Sequence, residues 1–120
     1  IWQQKINSNL RPTAIDELLF SVSNEGFLYI VENQTGNIIR ITNVFDRIKE
    51  KKRSNIKPIG FVVGSKNIYL TTSNGRLIAI DISTGKPILM IKVDNKNISR
   101  PFILDKKLFI IKDSAIIKLD

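Results

Sequence analysis

At 120 residues the chain has room for one domain with its own core, and 42% apolar with 25% charged residues is a globular composition, not a disordered one. The absence of Cys and His excludes disulfides, thiolate or imidazole metal sites, Cys nucleophiles and His-based triads within these residues. A net charge of +8 invites a nucleic-acid or anionic-membrane reading, but the thirteen Lys are scattered and, with eleven Asn and twenty-two Ile, match what an AT-rich genome favours. No apolar run approaches the ~18 residues of a membrane span. The chain opens at Ile1 without a signal-peptide pattern, and its start reads as the middle of a strand, as in a piece cut from a longer protein.

Residues 1–6 alternate well enough for a strand. In the short segment 11–15, Pro12 suits the first residue of a strand or an edge position. Strands follow over 18–23 and 27–32, joined through Asn24-Glu25-Gly26, and a turn at 33–36 leads to a strand over 38–42. In residues 43–56 Asn43 is a candidate cap for a short helix with Val44, Phe45 and Ile48 on one side and a charged tail from Lys49 to Arg53. The stretch reads first as a solvated connection between blades. Read as a protruding loop that contacts a partner or an anionic surface, it is the densest basic patch of the chain, and Phe45, Lys49, Lys51, Lys52 and Arg53 are its candidate partner-binding residues. Apolar runs over 59–63, 68–72, 76–82 and 86–92 have strand length. Asn74-Gly75 signals a two-residue type I′ turn, and Gly85 sits where a second turn needs a residue without a Cβ. Residues 107–112 and 116–120 read as two further strands around a shorter turn near Asp113-Ser114.

A shift of 49 positions superposes the first half on the second without a gap: Gly26 falls on Gly75, Leu28 on Leu77, Glu32 on Asp81, Thr35 on Thr84 and Gly36 on Gly85. Pro12, Pro58 and Pro101 each open a unit, giving approximate units 11–42, 57–92 and 100–120. Strand-rich repeats of about 40 to 50 residues point to propeller blades. The runs 77–80, 59–63 and 108–111 are nearly continuously apolar, as in strands covered on both faces, and a blade between two neighbours meets that need. The fold expected is therefore all-β, with about three antiparallel four-stranded blades in a single partial propeller over 1–120. Residues 1–6 would be a strand that closes the last blade or belongs to a preceding one.

The run Leu77-Ile78-Ala79-Ile80-Asp81-Ile82-Ser83-Thr84-Gly85-Lys86 resembles the PQQ-type β-propeller repeat, Gly-x-Leu-x-Ala-x-Asp-x-x-Thr-Gly-x-x-x-Trp, with Gly75, Leu77, Ala79, Asp81, Thr84 and Gly85 in place. Asp81 and Thr84 can bond turn backbone while Gly85 takes a left-handed conformation. The first unit keeps Gly26, Leu28, Thr35 and Gly36 with Glu32 for Asp, and the third keeps Asp120. The repeat's Trp is replaced by Arg40 and Leu89, and only Trp2 could be such a residue. The Gly-His and Trp-Asp pairs of WD40 repeats and the double glycine of kelch repeats are absent.

Within this superfamily the chain is most similar to the non-catalytic propellers of outer-membrane protein assembly, the BamB type. That resemblance implies a periplasmic lipoprotein, anchored by a lipid outside these residues, that scaffolds delivery of β-barrel proteins to protein partners without a cofactor. Gly26, Glu32, Thr35, Gly36, Asn74, Gly75, Asp81, Thr84 and Gly85 are then structural turn residues, and no catalytic, cofactor or metal residue is expected. The alternative, part of a quinone-dependent dehydrogenase, requires by resemblance an adjacent Cys pair, a calcium site and a catalytic Asp. A third reading, a basic nucleic-acid module, needs exposed aromatics among the cations, whereas Phe20, Tyr29, Tyr69 and Phe109 read as core. Three blades fall short of the roughly four to eight of a closed ring, so the blade faces are expected to meet the rest of a propeller or further copies of the chain.

Overall fold

A computed structural model describes residues 1–96 and 98–119. It contains eleven strands, β1 to β11, and one short helix, α1, among the described residues. The first blade is β1 (Thr13–Ile15), β2 (Leu18–Val22), β3 (Phe27–Glu32) and β4 (Ile38–Asn43), ordered β1-β2-β3-β4 with every neighbouring pair antiparallel. After α1 (Glu50–Arg53), the second repeats this order with β5 (Pro58–Val63), β6 (Asn67–Thr72), β7 (Arg76–Asp81) and β8 (Pro87–Lys92). The third has β9 (Phe102–Leu104), β10 (Lys107–Lys112) and β11 (Ala115–Leu119), with β10 in the middle. The all-β blade architecture read from the sequence is present. The repeat's third Asp, Asp120, lies outside the described residues.

The 49-residue periodicity extends to individual backbone bonds. Gly36 N–H donates to Glu32 O and Gly85 N–H to Asp81 O; Asn33 N–H donates to Glu17 O and Ile82 N–H to Lys66 O; Val44 N–H donates to Gly26 O and Val93 N–H to Gly75 O. Each of these pairs is displaced by the same interval. A bulge interrupts β3/β4 after Ile30 and β7/β8 after Ala79, again at equivalent positions. Bulges of this kind strengthen local twist, so both blades bend at the same place.

The core lies between the first two blades. Phe20, Val22, Leu28 and Ile30 of the first pack in one cluster with Ile68, Leu70, Ile78 and Ile80 of the second, joined by Val44, Phe45 and Ile56 of the connection. The middle blade has neighbours on both sides, and all of Leu77-Ile78-Ala79-Ile80 is buried. The first blade is covered on one face only, so β3 alternates buried Leu28 and Ile30 with half-buried Phe27 and Tyr29. The two-faced burial expected of 108–111 does not occur. Ile110 is buried, Leu108 and Phe109 are half-buried and Ile111 is exposed, because the third blade meets a neighbour on one side only. The run 59–63 is likewise mostly half-buried, with only Gly60 buried. Of the four aromatics read as core, Phe20 is buried and Tyr29, Tyr69 and Phe109 are half-buried, with Phe109 stacked on Phe102 at 5.4 Å.

Three local expectations are corrected. Residues 1–6 form no strand; they run past the first blade, held by side chains bonded to its backbone, and β11 pairs with β10 alone. The helix is not over 44–48: Val44 and Phe45 are drawn into the core, and the single helical turn is Glu50–Arg53, the stretch expected to be its charged tail. Asn43 Oδ1 accepts from Phe45 N–H at 3.0 Å, a local Asx turn and not a helix cap. Asn74-Gly75 is not type I′, since only Gly75 has positive φ. The loop has three residues, Ser73 to Gly75, closed by Gly75 N–H to Thr72 O, with the left-handed glycine last. The two-residue turns with both φ values positive are Asp105-Lys106 and Asp113-Ser114, where no glycine signalled them.

Candidate partner-binding surface

The turn 81–86 is built by its own side chains. Asp81 Oδ1 accepts from Ser83 N–H at 2.8 Å, Ser83 Oγ–H at 2.6 Å and Thr84 N–H at 3.3 Å, and Thr84 Oγ1 accepts from Lys86 N–H at 3.2 Å. The Ser83 hydroxyl, followed by the backbone donors and the charge of Arg40, holds the Asp81 carboxyl below its ordinary 3.8. In the first blade Thr35 Oγ1 accepts from Asn37 N–H in the same way. Gly36 and Gly85 both have positive φ, and each lies under a side chain from elsewhere.

Those covering side chains join units. The Trp2 ring lies over Gly36, and its Nε1–H donates to Asn33 O at 2.6 Å. The Arg40 stem lies over Gly85, and its Nη1–H donates to Ser83 O at 2.9 Å. A cation on an aliphatic stem thus occupies the place of the repeat's Trp: both present a flat donor group at the end of an apolar body. Arg40 therefore clamps the first blade onto the turn of the second.

Beside this clamp an open cleft of about 740 Å³ runs along β4 between the blades. Its walls include Arg40, Thr42, Asp46, Arg47, Thr84 and Lys86. Three cations face one carboxylate. Arg47 and Lys86 are exposed, and among the described residues their side chains carry no hydrogen bond or ion pair. The 44–57 connection, whose Asp46 and Arg47 line the cleft, is anchored from within. Phe45 is fully buried with its ring against Gly26, and Arg53 Nε–H and Nη2–H donate to Ile48 O and Asp46 O.

Residues 49–120 match the family model described as outer membrane protein assembly factor BamB. The chain belongs to this family. No curated protein matches it. Among solved structures, BamB from Moraxella catarrhalis superposes with a TM-score of 0.69 at 12% identity over 95% of this chain. Quinohemoprotein alcohol dehydrogenase ADHIIG from Pseudomonas putida gives 0.68 at 16% identity over 91%, and the WD40 propeller domain of Doa1 gives 0.67 at 12% over 90%. The chain covers only 32%, 17% and 34% of those three chains, respectively. At such identities the likeness is one of fold, and the fold is the β-propeller.

In this BamB-family chain the nine turn residues named from the sequence fall into two kinds of corner. Gly26, Asn74 and Gly75 lie in the β2–β3 and β6–β7 loops; Glu32 and Asp81 end β3 and β7, and Thr35, Gly36, Thr84 and Gly85 lie in the β3–β4 and β7–β8 turns that follow. Of the five candidate partner residues, Lys49, Lys51 and Lys52 are exposed, while Phe45 and Arg53 are committed to holding the loop. Arg40, Arg47 and Lys86 were not singled out, because they lie far apart in sequence and meet only when the blades dock. One signal was available: Arg40 stands at the repeat's Trp position. No helix among the described residues is long and apolar enough to cross a membrane.

Proposed function

We propose that the chain is a non-catalytic stretch of a PQQ-like propeller that acts as a protein–protein interaction scaffold, in the periplasm, in the assembly of outer-membrane β-barrel proteins. A lipid anchor outside these residues and contacts to the barrel-inserting machinery belong to the same reading. The observation that carries it is how the motif residues are used. Asp81 and Thr84, the polar side chains that mark the repeat, direct their oxygens into their own turn. The outward-facing unpaired groups are instead cations along an open cleft and a basic loop. Such a surface suits recognition of a protein and offers no poised nucleophile or base.

The test is affinity purification of the tagged full-length protein from cell envelopes. Enrichment of the β-barrel assembly machinery is expected, and its absence under conditions that preserve that machinery counts against the role. The likeness to a quinohemoprotein alcohol dehydrogenase supports a second reading, part of a quinone-dependent enzyme. Titration of the full-length protein with pyrroloquinoline quinone separates the two, because saturable absorbance changes with alcohol oxidation would favour the enzyme.

A further inference from the structure

The cleft along β4 has a specific chemical character that names a partner class, and this inference rests on the scaffold reading. Arg40 and Thr42 project from β4 towards Gly85 of the second blade, while Ile39 and Ile41, at the alternate positions, are exposed at 55% and 51%. β4 is the edge strand of its sheet, so the backbone groups on its outer side pair with no strand. Arg47 and Lys86 flank the cleft with unpaired charges, and Asp46 is the one carboxylate among the described residues of its wall; the exposed Lys49, Lys51 and Lys52 follow Arg47 closely in the chain.

We infer that this cleft docks an extended acidic segment of a partner protein, with carboxylates towards Arg47 and Lys86 and apolar residues over Ile39 and Ile41. Charge complementarity sets the sign of the partner. An unpaired strand edge beside exposed isoleucines favours a polypeptide over a nucleic acid, whose bases would need aromatic platforms. Among the described residues the cleft wall contains no aromatic side chain, and the nearby Phe45 is fully buried.

The experiment is fluorescence anisotropy of the full-length protein with a labelled peptide alternating Glu and Val, against a Lys-Val peptide and single-stranded poly(U). Saturable binding of the acidic peptide is expected, weakening as salt rises above ~0.15 M. The double variant Arg47→Glu/Lys86→Glu is expected to bind about tenfold more weakly, each reversed exposed contact contributing a few-fold. Lys5→Glu/Lys107→Glu makes the same change in net charge at exposed positions outside the cleft wall and is expected to bind like the wild type. Equal weakening by both double variants, equal binding of the Lys-Val peptide, or tighter binding of poly(U) would overturn the assignment. Retained capture of envelope partners without peptide binding would also overturn it, while leaving the scaffold role standing.

Discussion

If Arg40 clamps one blade to the next, replacing it and replacing the glycine beneath it must be strongly coupled. Arg40→Ala removes the bond to Ser83 O, taken at about 1 kcal/mol because the group is half-exposed, and the packing of its stem over Gly85, worth about 1 kcal/mol more. Gly85→Ala places a side chain at φ +72, costing about 1–2 kcal/mol. Its Cβ would also lie 2.8 Å from Thr42 Oγ1 and on the Arg40 stem, displacing the guanidinium and forfeiting a further ~2 kcal/mol. The double variant loses the clamp only once. It should therefore be destabilised by about 3–4 kcal/mol, close to Gly85→Ala alone, although the single effects sum to about 5–6 kcal/mol. Urea unfolding followed by circular dichroism, with midpoints compared at constant slope, measures the cycle. Additive effects would show that the Arg40 side chain does not rest on this turn.

Three further predictions concern the corners. Gly75→Ala combines φ +77 with a Cβ 2.6 Å from the Asp94 carbonyl carbon; the obstacle is backbone and cannot swing away, so a loss of about 3 kcal/mol is expected. Gly64→Ala, with 3.3 Å to its nearest neighbour and no positive φ, should stay within about 1 kcal/mol of wild type in the same denaturation assay. Asp81→Asn removes a carboxylate whose pKa is lowered in the folded state, chiefly by the Ser83 hydroxyl. A depressed pKa contributes stability above the unfolded value that is lost as pH falls through the folded one. The wild-type advantage should therefore be full near neutrality and fade below 3.8, read from thermal midpoints across pH; an advantage unchanged at the lowest pH would contradict the turn chemistry.

The blade pattern was legible because the same turn chemistry recurs at one interval, and each recurrence satisfies the same backbone groups. Gly36 and Gly85 could be matched in advance since only a residue without a Cβ tolerates both positive φ and a covering side chain. The connection was harder to read. Val44, Phe45 and Ile48 have helical spacing, but burial of Phe45 against Gly26 outweighs the weak local propensity for helix. The turn near Asp113-Ser114 was legible from its spacing, but its type I′ form and the whole Asp105-Lys106 turn were not, because strand register, and not a glycine, imposes their left-handed residues. The Arg40 clamp went unseen for a related reason. A repeat motif records residue types, whereas the site demands a flat donor on an apolar stem, and Arg supplies that as well as Trp. The cleft depends on how two blades dock, which no local pattern encodes.

The most direct test of the scaffold account is site-specific photocrosslinking in intact cells. A photoreactive residue in the full-length protein at Arg47 or Lys86, beside the cleft, should yield discrete adducts with a component of the β-barrel assembly machinery, while one at Lys107 of the third blade should yield none. Adducts at Lys107 with none at Arg47 or Lys86 would contradict the claim that this face meets the partner.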